Sequence, residues 1–494
     1  MKLYLIGHDY RYAAEQILLM LFPAERPEYP ETPEPGDGAV ITLHRSAVNT
    51  TVTCRLTRGG AVFHGRASVR SAAMTDDVTA DRLLSRAVKR SFYRAALASG
   101  VRKPVWGALT GVRPGKLMAG FLADGLSDEA AVRKFQQDFD VSPERAALCL
   151  HTSHATMAAK ASLQPGDVCL YVGVPFCPTR CAYCSFVSQS VEKSMALIAP
   201  FFDALLREVR ATAAVVNALG LRVVSLYVGG GTPTTLSAKQ LDALFCALEA
   251  EFDLTALRES TVEAGRPDTI QADKLEILRL HGVGRISVNP QTMDDRVLTA
   301  IGRKHTAQEI RDALALTRAA DGFAVNMDLI AGLPSDTVEG FRASIDEVLA
   351  LRPENVTVHT LSLKKGSYLT EHGGPLPDAE AVGQMLDYAG ARLTAAGYAP
   401  YYLYRQKFMS GGFENVGWTL PGQENLYNIC IMEELCSIIA MGGGASTKLV
   451  GSGGRIRRAF DPKYPQEYIA NIDRICENKQ IIREFYHELS SERD

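Results

Sequence analysis

The sequence predicts an α/β fold in which a partial barrel of six parallel strands follows an α+β domain and precedes a mostly helical region. Strand-like and helical segments alternate regularly from Asp167 to about Lys365. The residues before this stretch show short strands and basic helices, and the alternation stops near Pro375. Together these observations predict an N-terminal α+β domain over 1–165, a partial (β/α)6 barrel over 166–370 and a mostly helical, substrate-covering domain over 371–494.

The composition narrows the class of protein. The 494 residues are 46% hydrophobic and 22% charged, which is ordinary for a globular protein. With 53 basic and 56 acidic side chains the net charge is −3, which argues against a general nucleic-acid-binding protein. We find no apolar run of about 18 residues and no export signal, so we expect no membrane association. The ten cysteines are then thiols in a reducing cytoplasm rather than a disulfide framework.

The N-terminal domain offers no catalytic constellation. Short strands are expected at 39–43, 51–56 and 61–70, separated by turn residues. The helical pattern over 79–98 has a basic face, and solvated charge is the ordinary explanation of such a face. We therefore look for function further along the chain.

The central domain follows the pattern of an α/β barrel. Alternation of strands with amphipathic helices implies parallel strands joined by right-handed crossovers. In barrels of this kind, chemistry takes place at the carboxyl ends of the strands. The predicted strands are 168–175, 223–229, 260–264, 285–289, 323–329 and 356–363, and the predicted helices include 197–219, 238–251, 307–319 and 337–349.

The C-terminal region is expected to be mostly helical. Residues 379–396 and 429–441 have helical patterns, and a helical tail follows Pro465. A Gly-rich turn lies at 442–444. We expect this region to close over the mouth of the barrel.

Three closely spaced cysteines carry most of the functional information. Cys177, Cys181 and Cys184 follow the first predicted barrel strand. Thiolates are soft ligands suited to iron–sulfur clusters, and three of them leave one iron of a 4Fe-4S cluster open to a non-protein ligand. A structural zinc site would need C-x2-C pairs with two further ligands nearby, and none follows Cys184 closely. Position at a strand end favours a catalytic cluster that binds S-adenosylmethionine and cleaves it to an adenosyl radical.

A glycine run follows the second predicted strand. Gly229, Gly230, Gly231 and Thr232 stand where the backbone must approach a ligand closely if the strand end forms a site. Glycine runs also simply turn a chain, and that alternative remains open for the motif alone. One strand after the cysteine motif, we interpret it as the site for the amino-acid end of S-adenosylmethionine.

Polar residues recur at the later strand ends. Glu263, Gln291 and Asp328 interrupt apolar patterns, and Arg303 lies just beyond the fourth strand. A carboxylate such as Glu263 suits ribose hydroxyls, and an arginine suits a carboxylate. A helix cap or a surface ion pair is the alternative explanation for each one taken alone. Their shared location favours a common site.

These motifs together resemble the coproporphyrinogen dehydrogenase family, the oxygen-independent radical S-adenosylmethionine enzymes of porphyrin and heme biosynthesis. The matching segments are Y-x-G-x-P-F-C-x3-C-x2-C, GGGTPT, V-E-A-G-R-P-D, S-V-N-P-Q, G-R-K-H and D-L-I-A-G-L-P, between Tyr171 and about Leu363. The extra N-terminal region and the Arg-Gln-Lys segment near the C-terminus are most similar to the HemZ-type subgroup.

The resemblance implies roles for individual residues. Cys177, Cys181 and Cys184 would be the catalytic cluster ligands. The residues that would contact the cluster-bound S-adenosylmethionine are Tyr171, Gly230 and Glu263. Those that match a second S-adenosylmethionine site are Tyr183, Gly231, Thr232, Gln291, Arg303 and Asp328.

The implied reaction converts two propionates of coproporphyrinogen III to vinyl groups. The radical takes hydrogen from the propionate β-carbon, carbon dioxide leaves, and an external acceptor takes the remaining electron. The implied partners are a tetrapyrrole substrate and a reduced flavodoxin- or ferredoxin-type electron donor. The alternatives are a heme-binding chaperone of the same superfamily, whose H-N-x-x-Y-W signature is replaced here by 425–430 without a histidine, and an enzyme that degrades heme anaerobically.

Two positions depart from the family pattern. Gly173 stands where the family has a histidine, and Phe186 stands where the classical decarboxylases have a fourth cysteine. Neither departure removes one of the three cluster cysteines. Both bear on the identity of the substrate rather than on the cofactor.

The C-terminal region adds one candidate segment and several isolated cysteines. Residues 401–407, which include Arg405 and Lys407, offer the cations and flat apolar surface that a tetrapyrrole with four carboxylates needs. An aromatic strand packed on the barrel is the alternative. Cys430 and Cys436 are expected on one buried helix face. The other cysteines, expected as small core residues, are Cys54, Cys149, Cys169, Cys246 and Cys476.

Overall fold

The computed structural model describes residues 1–32, 34, 36–184, 189–363, 367–373, 375–406 and 410–491. The described chain divides into two compact units. Unit 1 comprises Met1–Pro114 and Gly120–Leu150, and unit 2 comprises Gly115–Ala119 and His151–Asp494. The predicted residues Phe186, Lys365 and Lys407 lie outside the described residues.

Unit 1 contains a small mixed sheet covered by helices. Within its described residues the strand order is β1-β2-β3-β4, with β1 parallel to β2 and the other pairs antiparallel. Alternate residues of β3, such as Val52, Cys54 and Leu56, are buried, as expected of a strand with one face on the core. The elements up to the unit boundary are β1 Lys2–Ile6, α1 Arg11–Leu21, β2 Gly38–Arg45, β3 Asn49–Arg58, β4 Ala61–Arg70, α2 Asp77–Ala98, α3 Pro114–Ala123, α4 Asp128–Phe139 and α5 Pro143–Ser162.

Unit 2 is built on a sheet that, in the described part of the chain, has eleven strands. Its centre is the predicted array of six consecutive parallel strands, in the order β12-β11-β10-β9-β8-β5. The predicted α/β fold is confirmed. The elements of this part are β5 Asp167–Val174, β6 Phe176–Cys177, β7 Gln189–Ser190, α6 Val191–Ala218, β8 Arg222–Gly230, α7 Ala238–Glu251, β9 Glu259–Glu263, α8 Ala272–Leu280, β10 Arg285–Ser287, α9 Asp295–Ala300, α10 Ala307–Ala319, β11 Ala324–Ala331, α11 Val338–Leu351 and β12 Asn355–Thr360.

Capping residues in the sequence mark where two of the crossover helices begin. Ser237 and Gln240 form a capping box at α7, and Thr306 and Glu309 form another at α10. Each box satisfies backbone N–H groups that the first helical turn would leave without partners. The capping boxes therefore fix the residues at which α7 and α10 begin.

The C-terminal region extends the central sheet on both sides. Strands β13 and β14 pair antiparallel beside β12, whereas β15 pairs parallel with β5 and is followed by the antiparallel strands β16 and β17. The elements are α12 Tyr368–His372, α13 Ala379–Ala395, β13 Ala399–Tyr404, β14 Asn415–Thr419, α14 Leu426–Glu433, β15 Ser437–Gly442, β16 Ser446–Val450, β17 Ile456–Phe460, α15 Pro465–Ala470, α16 Ile472–Asn478 and α17 Gln480–Ser491.

The single helix predicted over 429–441 is wrong in its second half. Helix α14 ends at Glu433, the following residue Glu434 is left-handed at φ 57°, and the chain continues as β15. Every residue of β15 is buried, so the sequence has neither the strand period nor the helix period. Among the described residues, no helix combines the length and apolar character that a membrane crossing requires.

Candidate functional site

A cavity of about 570 Å³ lies at the carboxyl ends of the parallel strands in unit 2. Its lining comes from β5, β8, β9, β11 and β12, the loops that follow them, and the C-terminal elements β13 and α14. The structure brings to this one cavity every residue that the sequence singled out for the cluster and S-adenosylmethionine: Tyr171, Cys177, Cys181, Tyr183, Cys184, Gly230, Gly231, Thr232, Glu263, Gln291, Arg303 and Asp328.

The cysteine loop is held by hydrogen bonds to neighbouring elements. The hydroxyl of Thr232 donates to the Sγ of Cys177 at 3.5 Å. One guanidinium nitrogen of Arg266 donates to the Sγ of Cys181 at 3.0 Å and to the carbonyl of Thr179 at 2.7 Å. The backbone N–H of Cys184 donates to the carbonyl of Cys181 at 3.1 Å. The glycine motif and the strand after it thus support the loop that carries the thiols.

The electrostatics of Cys181 favour a thiolate. Burial opposes ionisation of this thiol, but the positive charges of Arg303 and Arg266 outweigh that cost and lower its pKa below the ordinary value. A thiolate is the form that ligates iron. Cys181 is therefore predisposed to ligate a soft metal ion.

The glycines at the end of β8 lie so close to the cysteine loop that a side chain would not fit there. Gly230 has a φ of 107°, which L-residues rarely adopt. A Cβ on Gly231 would lie 2.4 Å from the carbonyl oxygen of Phe176 and 3.0 Å from the Sγ of Cys177. The backbone of β8 can approach the cysteine loop because neither residue has a side chain.

We expect Gly231→Ala to weaken both cluster retention and S-adenosylmethionine binding. The added Cβ meets backbone atoms that cannot move aside cheaply, and overpacking of this kind costs about 1–3 kcal/mol, or roughly tenfold or more in affinity. Iron content and equilibrium dialysis measure the two effects. Gly284→Ala is the matched control, because a Cβ there meets nothing within 4 Å. Equal iron and equal affinity in both variants would contradict the close approach.

Arg303 joins three parts of the cavity wall. Its Nη1 donates to the carbonyls of Asn289 at 2.7 Å and Gly265 at 3.2 Å, and its Nη2 donates to the hydroxyl of Tyr183 at 3.3 Å. Within the described part of the chain, the buried Nε of Arg303 and the buried Oδ1 of Asn289 have no hydrogen-bond partner. Buried polar atoms without partners are costly, so these two favour a polar ligand in the cavity.

Gln291 lies in the loop after β10, and Asp328 lies on the neighbouring strand β11. Gln291 has a φ of 70°, and its N–H donates to the carbonyl of Asp328 at 2.8 Å. The amide of Asn326 donates to Asp328 Oδ1 at 2.8 Å, and the Nε2 of His359 lies 3.8 Å from Asp328 Oδ2. Although burial opposes ionisation of Asp328, the interaction with His359 lowers its pKa. The left-handed backbone of Gln291 is unfavourable for a residue other than glycine, so the surrounding structure must hold it in place. Such strained positions cluster at functional sites.

Glu263 lies among stacked tyrosines. The hydroxyl of Tyr227 donates to its Oε1 at 2.6 Å. The Tyr227 ring stacks on Tyr427 with centroids 4.4 Å apart, and Tyr171 stacks on Tyr427 at 6.1 Å. Burial raises the pKa of Glu263 to about 7, and the negative charge of Asp328 adds to the increase.

The pKa of Glu263 predicts a pH dependence of stability. The folded protein holds the proton to about pH 7, whereas the unfolded chain releases it near 4.5. Because the folded-state pKa is raised, this contribution to stability is full below 4.5 and is lost as the pH rises through 7.

We therefore expect the melting temperature of the cofactor-free protein, relative to Glu263→Gln, to fall between about pH 5 and pH 8. Differential scanning calorimetry of both proteins across that range provides the measurement. Glu276→Gln changes an exposed glutamate and serves as the control. A pH-independent difference between wild type and Glu263→Gln would contradict the raised pKa.

The sequence missed several residues of the cavity wall. Arg266 was available within the V-E-A-G-R-P-D motif, but nothing local showed that its side chain turns back to Cys181. Tyr227, Tyr427 and His359 lie in strand or helix patterns where aromatic residues ordinarily belong to the core. Of the candidate segment 401–407, Tyr402, Tyr404 and Gln406 line the cavity, whereas the guanidinium of Arg405 donates to the carbonyl of Gly412 at 2.8 Å.

Comparisons with known proteins agree with this geometry. The Radical SAM superfamily model matches residues 171–348. The chain is 40% identical over 380 residues to the oxygen-independent coproporphyrinogen-III oxidase-like protein HemZ of Bacillus subtilis, covering 76% of each chain. It is 28% identical over 300 residues to the heme chaperone HemW of Escherichia coli, covering 61% of this chain and 75% of that protein.

The fold also has a solved counterpart. The structure of coproporphyrinogen III oxidase (HemN) from Escherichia coli, described as a radical SAM enzyme, aligns with a TM-score of 0.52 and 23% identity over 65% of this chain and 72% of that one. The chain therefore belongs to the radical SAM superfamily, within the family of oxygen-independent coproporphyrinogen-III oxidase-like proteins that includes HemZ.

Membership of the superfamily implies a 4Fe-4S cluster and S-adenosylmethionine, and the residues present fit both. The cavity combines soft thiol donors, two arginines that lower the pKa of Cys181, and a strand end where a Cβ would collide with backbone. It also holds the unpaired polar atoms of Asn289 and Arg303.

Proposed function

We propose that the chain oxidatively decarboxylates two propionates of coproporphyrinogen III to give protoporphyrinogen IX. The observation that carries the proposal is the convergence of the cysteine loop, the glycine strand end and the strand-end polar residues on one cavity. The name of the HemZ relative and the fold of HemN support this substrate class.

In this proposal Cys177, Cys181 and Cys184 ligate the cluster. When bound, the cluster and S-adenosylmethionine supply hydrogen-atom abstraction from the substrate. The contacts to the cluster-bound cofactor come from Tyr171, Gly230 and Glu263. The contacts to a second S-adenosylmethionine come from Tyr183, Gly231, Thr232, Gln291, Arg303 and Asp328.

The chain's own groups orient the ligands and exclude water. The guanidinium fork of Arg303 fixes the wall formed by Tyr183 and Asn289, and Arg266 fixes Cys181. Tyr402, Tyr404 and Tyr427 provide a flat, amphipathic surface of the kind on which a tetrapyrrole ring can pack. Each decarboxylated propionate loses carbon dioxide, one proton and two electrons in net, so a reductant starts the cycle and an acceptor completes it. A flavodoxin- or ferredoxin-type protein is the proposed donor.

The test is anaerobic reconstitution followed by mass spectrometry of reactions with coproporphyrinogen III, S-adenosylmethionine and reductant. We expect two successive losses of the mass of formic acid, with 5′-deoxyadenosine formed in step with product. Stoichiometric heme binding without 5′-deoxyadenosine above background would identify a heme chaperone instead. A ring-opened or methylated tetrapyrrole from heme would identify a degradative enzyme, and either result would overturn the proposal.

A further inference from the structure

Three cysteine thiols meet in the core of unit 2. Cys169 lies on β5, Cys430 on α14, and Cys436 immediately before β15. Their Sγ atoms all lie within 4.8 Å of one another, and those of Cys169 and Cys436 are 3.6 Å apart. The expectation that Cys430 and Cys436 share one helix face is wrong, because the helix ends at Glu433, between them.

We propose that Cys169, Cys430 and Cys436 bind a single soft metal ion, Zn²⁺ or Cu⁺. Two thiolates on one zinc ion, each about 2.3 Å from the metal, lie about 3.8 Å apart in a tetrahedral site. The observed spacing of the sulfur atoms therefore suits ligation of one ion without rearrangement of the backbone. A second iron–sulfur cluster would attach each thiolate to a different iron, which requires a wider triangle of sulfur atoms.

The surroundings match the chemistry of a soft ion. The three side chains are buried with Val224, Tyr427 and Ile438 in one apolar cluster. Among the described residues, the metal-ligand group formed by Cys169, Cys430 and Cys436 contains thiols and includes no carboxylate or imidazole. Thiolate-only donor sets favour Zn²⁺ and Cu⁺ over harder ions such as Mg²⁺ and Ca²⁺.

Metal binding at this site would release protons. Each thiol that becomes a ligand loses one proton to solvent, because the thiolate is the form that binds the ion. Three thiolates on Zn²⁺ carry a net charge of −1, which is a smaller buried charge than Cu⁺ would leave.

The site would connect two elements that line the cavity, β5 and α14, with the residue that precedes β15. Helix α14 contributes Tyr427 and Asn428 to the cavity wall, and β5 contributes Tyr171 and leads into the cysteine loop. Strand β15 pairs with β5 along its whole length. A metal ion bound here would cross-link β5, α14 and the residue that precedes β15, whatever the substrate of the enzyme. The inference is therefore independent of the proposed function.

The experiment uses the reconstituted holoprotein, in which the cluster cysteines are occupied by iron. Separate samples are incubated anaerobically with Zn²⁺ alone or Cu⁺ alone, desalted, and analysed for zinc, copper and iron by mass spectrometry. We expect about one retained zinc or copper ion per chain, and the two samples show which metal is preferred. In Cys169→Ser and Cys436→Ser, retention should fall at least about tenfold while iron stays at about four per chain. Cys54→Ser changes a buried cysteine of unit 1 and should retain the metal.

A second measurement covers the case in which a serine variant does not fold. Co²⁺ added to wild-type holoprotein should give intense near-ultraviolet bands of sulfur-to-metal charge transfer, which zinc then displaces. Absence of both retained metal and these bands would show that the three thiols pack as protonated core residues. Retention in the serine variants would place the metal elsewhere. Iron near eight per chain that falls to about four in Cys169→Ser would show a second iron–sulfur cluster, and each of these three results would overturn the proposal.

Discussion

Replacement of Cys181 by alanine is expected to reduce S-adenosylmethionine cleavage to background and to lower iron content from about four per chain to near zero. Three thiolates hold three irons and leave the fourth open, so loss of one thiolate leaves a cluster held by only two. The change also removes the acceptor of the hydrogen bond from Arg266, which is left as a buried cation without its anionic partner. Iron analysis and quantification of 5′-deoxyadenosine by chromatography measure the two losses.

The matched controls distinguish a cluster ligand from any other buried thiol. Cys430→Ser changes a buried cysteine of the three-thiol group and should keep both iron and cleavage activity while losing zinc or copper. Cys246→Ala should change neither. The sequence prediction that Cys246 is a core residue is wrong, because its side chain is exposed. If Cys430→Ser lost the iron while Cys181→Ala kept it, the assignment of the cluster to the first motif would be wrong.

The parallel sheet could be predicted from the sequence because its strands are short apolar runs between amphipathic helices. The run 223–229 became β8 at Arg222–Gly230, and 260–264 became β9 at Glu259–Glu263. Buried parallel strands show continuous apolar runs, and the alternation with helices orders them in space through right-handed crossovers. Strand ends therefore carry positional information, and on that basis the sequence predicts a common site for Gln291 and Asp328.

The features of the fold and site that the sequence did not predict depend on contacts between residues distant in the sequence. Nothing near Ser437–Gly442 shows that it pairs with β5, because the partner strand begins at Asp167. The three-thiol group has the same origin, since Cys169 and Cys436 are 267 residues apart. The turn of Arg266 back to Cys181 likewise depends on how β9 packs beside β8. Local patterns report which face of an element is buried, but they do not report what lies against it.

Arg303→Lys is expected to lower turnover at least about a hundredfold while leaving iron content unchanged. Lysine keeps the positive charge but loses the planar fork that reaches Asn289, Gly265 and Tyr183 together. A hydrogen bond to a charged group contributes about 1.5–3 kcal/mol, so loss of two of these bonds corresponds to roughly a hundredfold or more in rate. Arg296→Lys is the matched control, because its side chain is exposed and donates to Asp294 within its own turn.

The kinetic pattern decides whether Arg303 acts on a bound ligand or only supports the wall. If its free Nε contacts S-adenosylmethionine, KM for that cofactor should rise together with the fall in kcat, and Arg303→Gln should be worse than Arg303→Lys because it also removes the charge. A purely structural role would instead lower the melting temperature of both variants and reduce iron in proportion to the loss of activity. Turnover of Arg303→Lys within about threefold of wild type, with iron intact, would show that Arg303 has no role in the reaction. A buried guanidinium that positions substrate cannot be replaced by an ammonium group without a large loss of turnover.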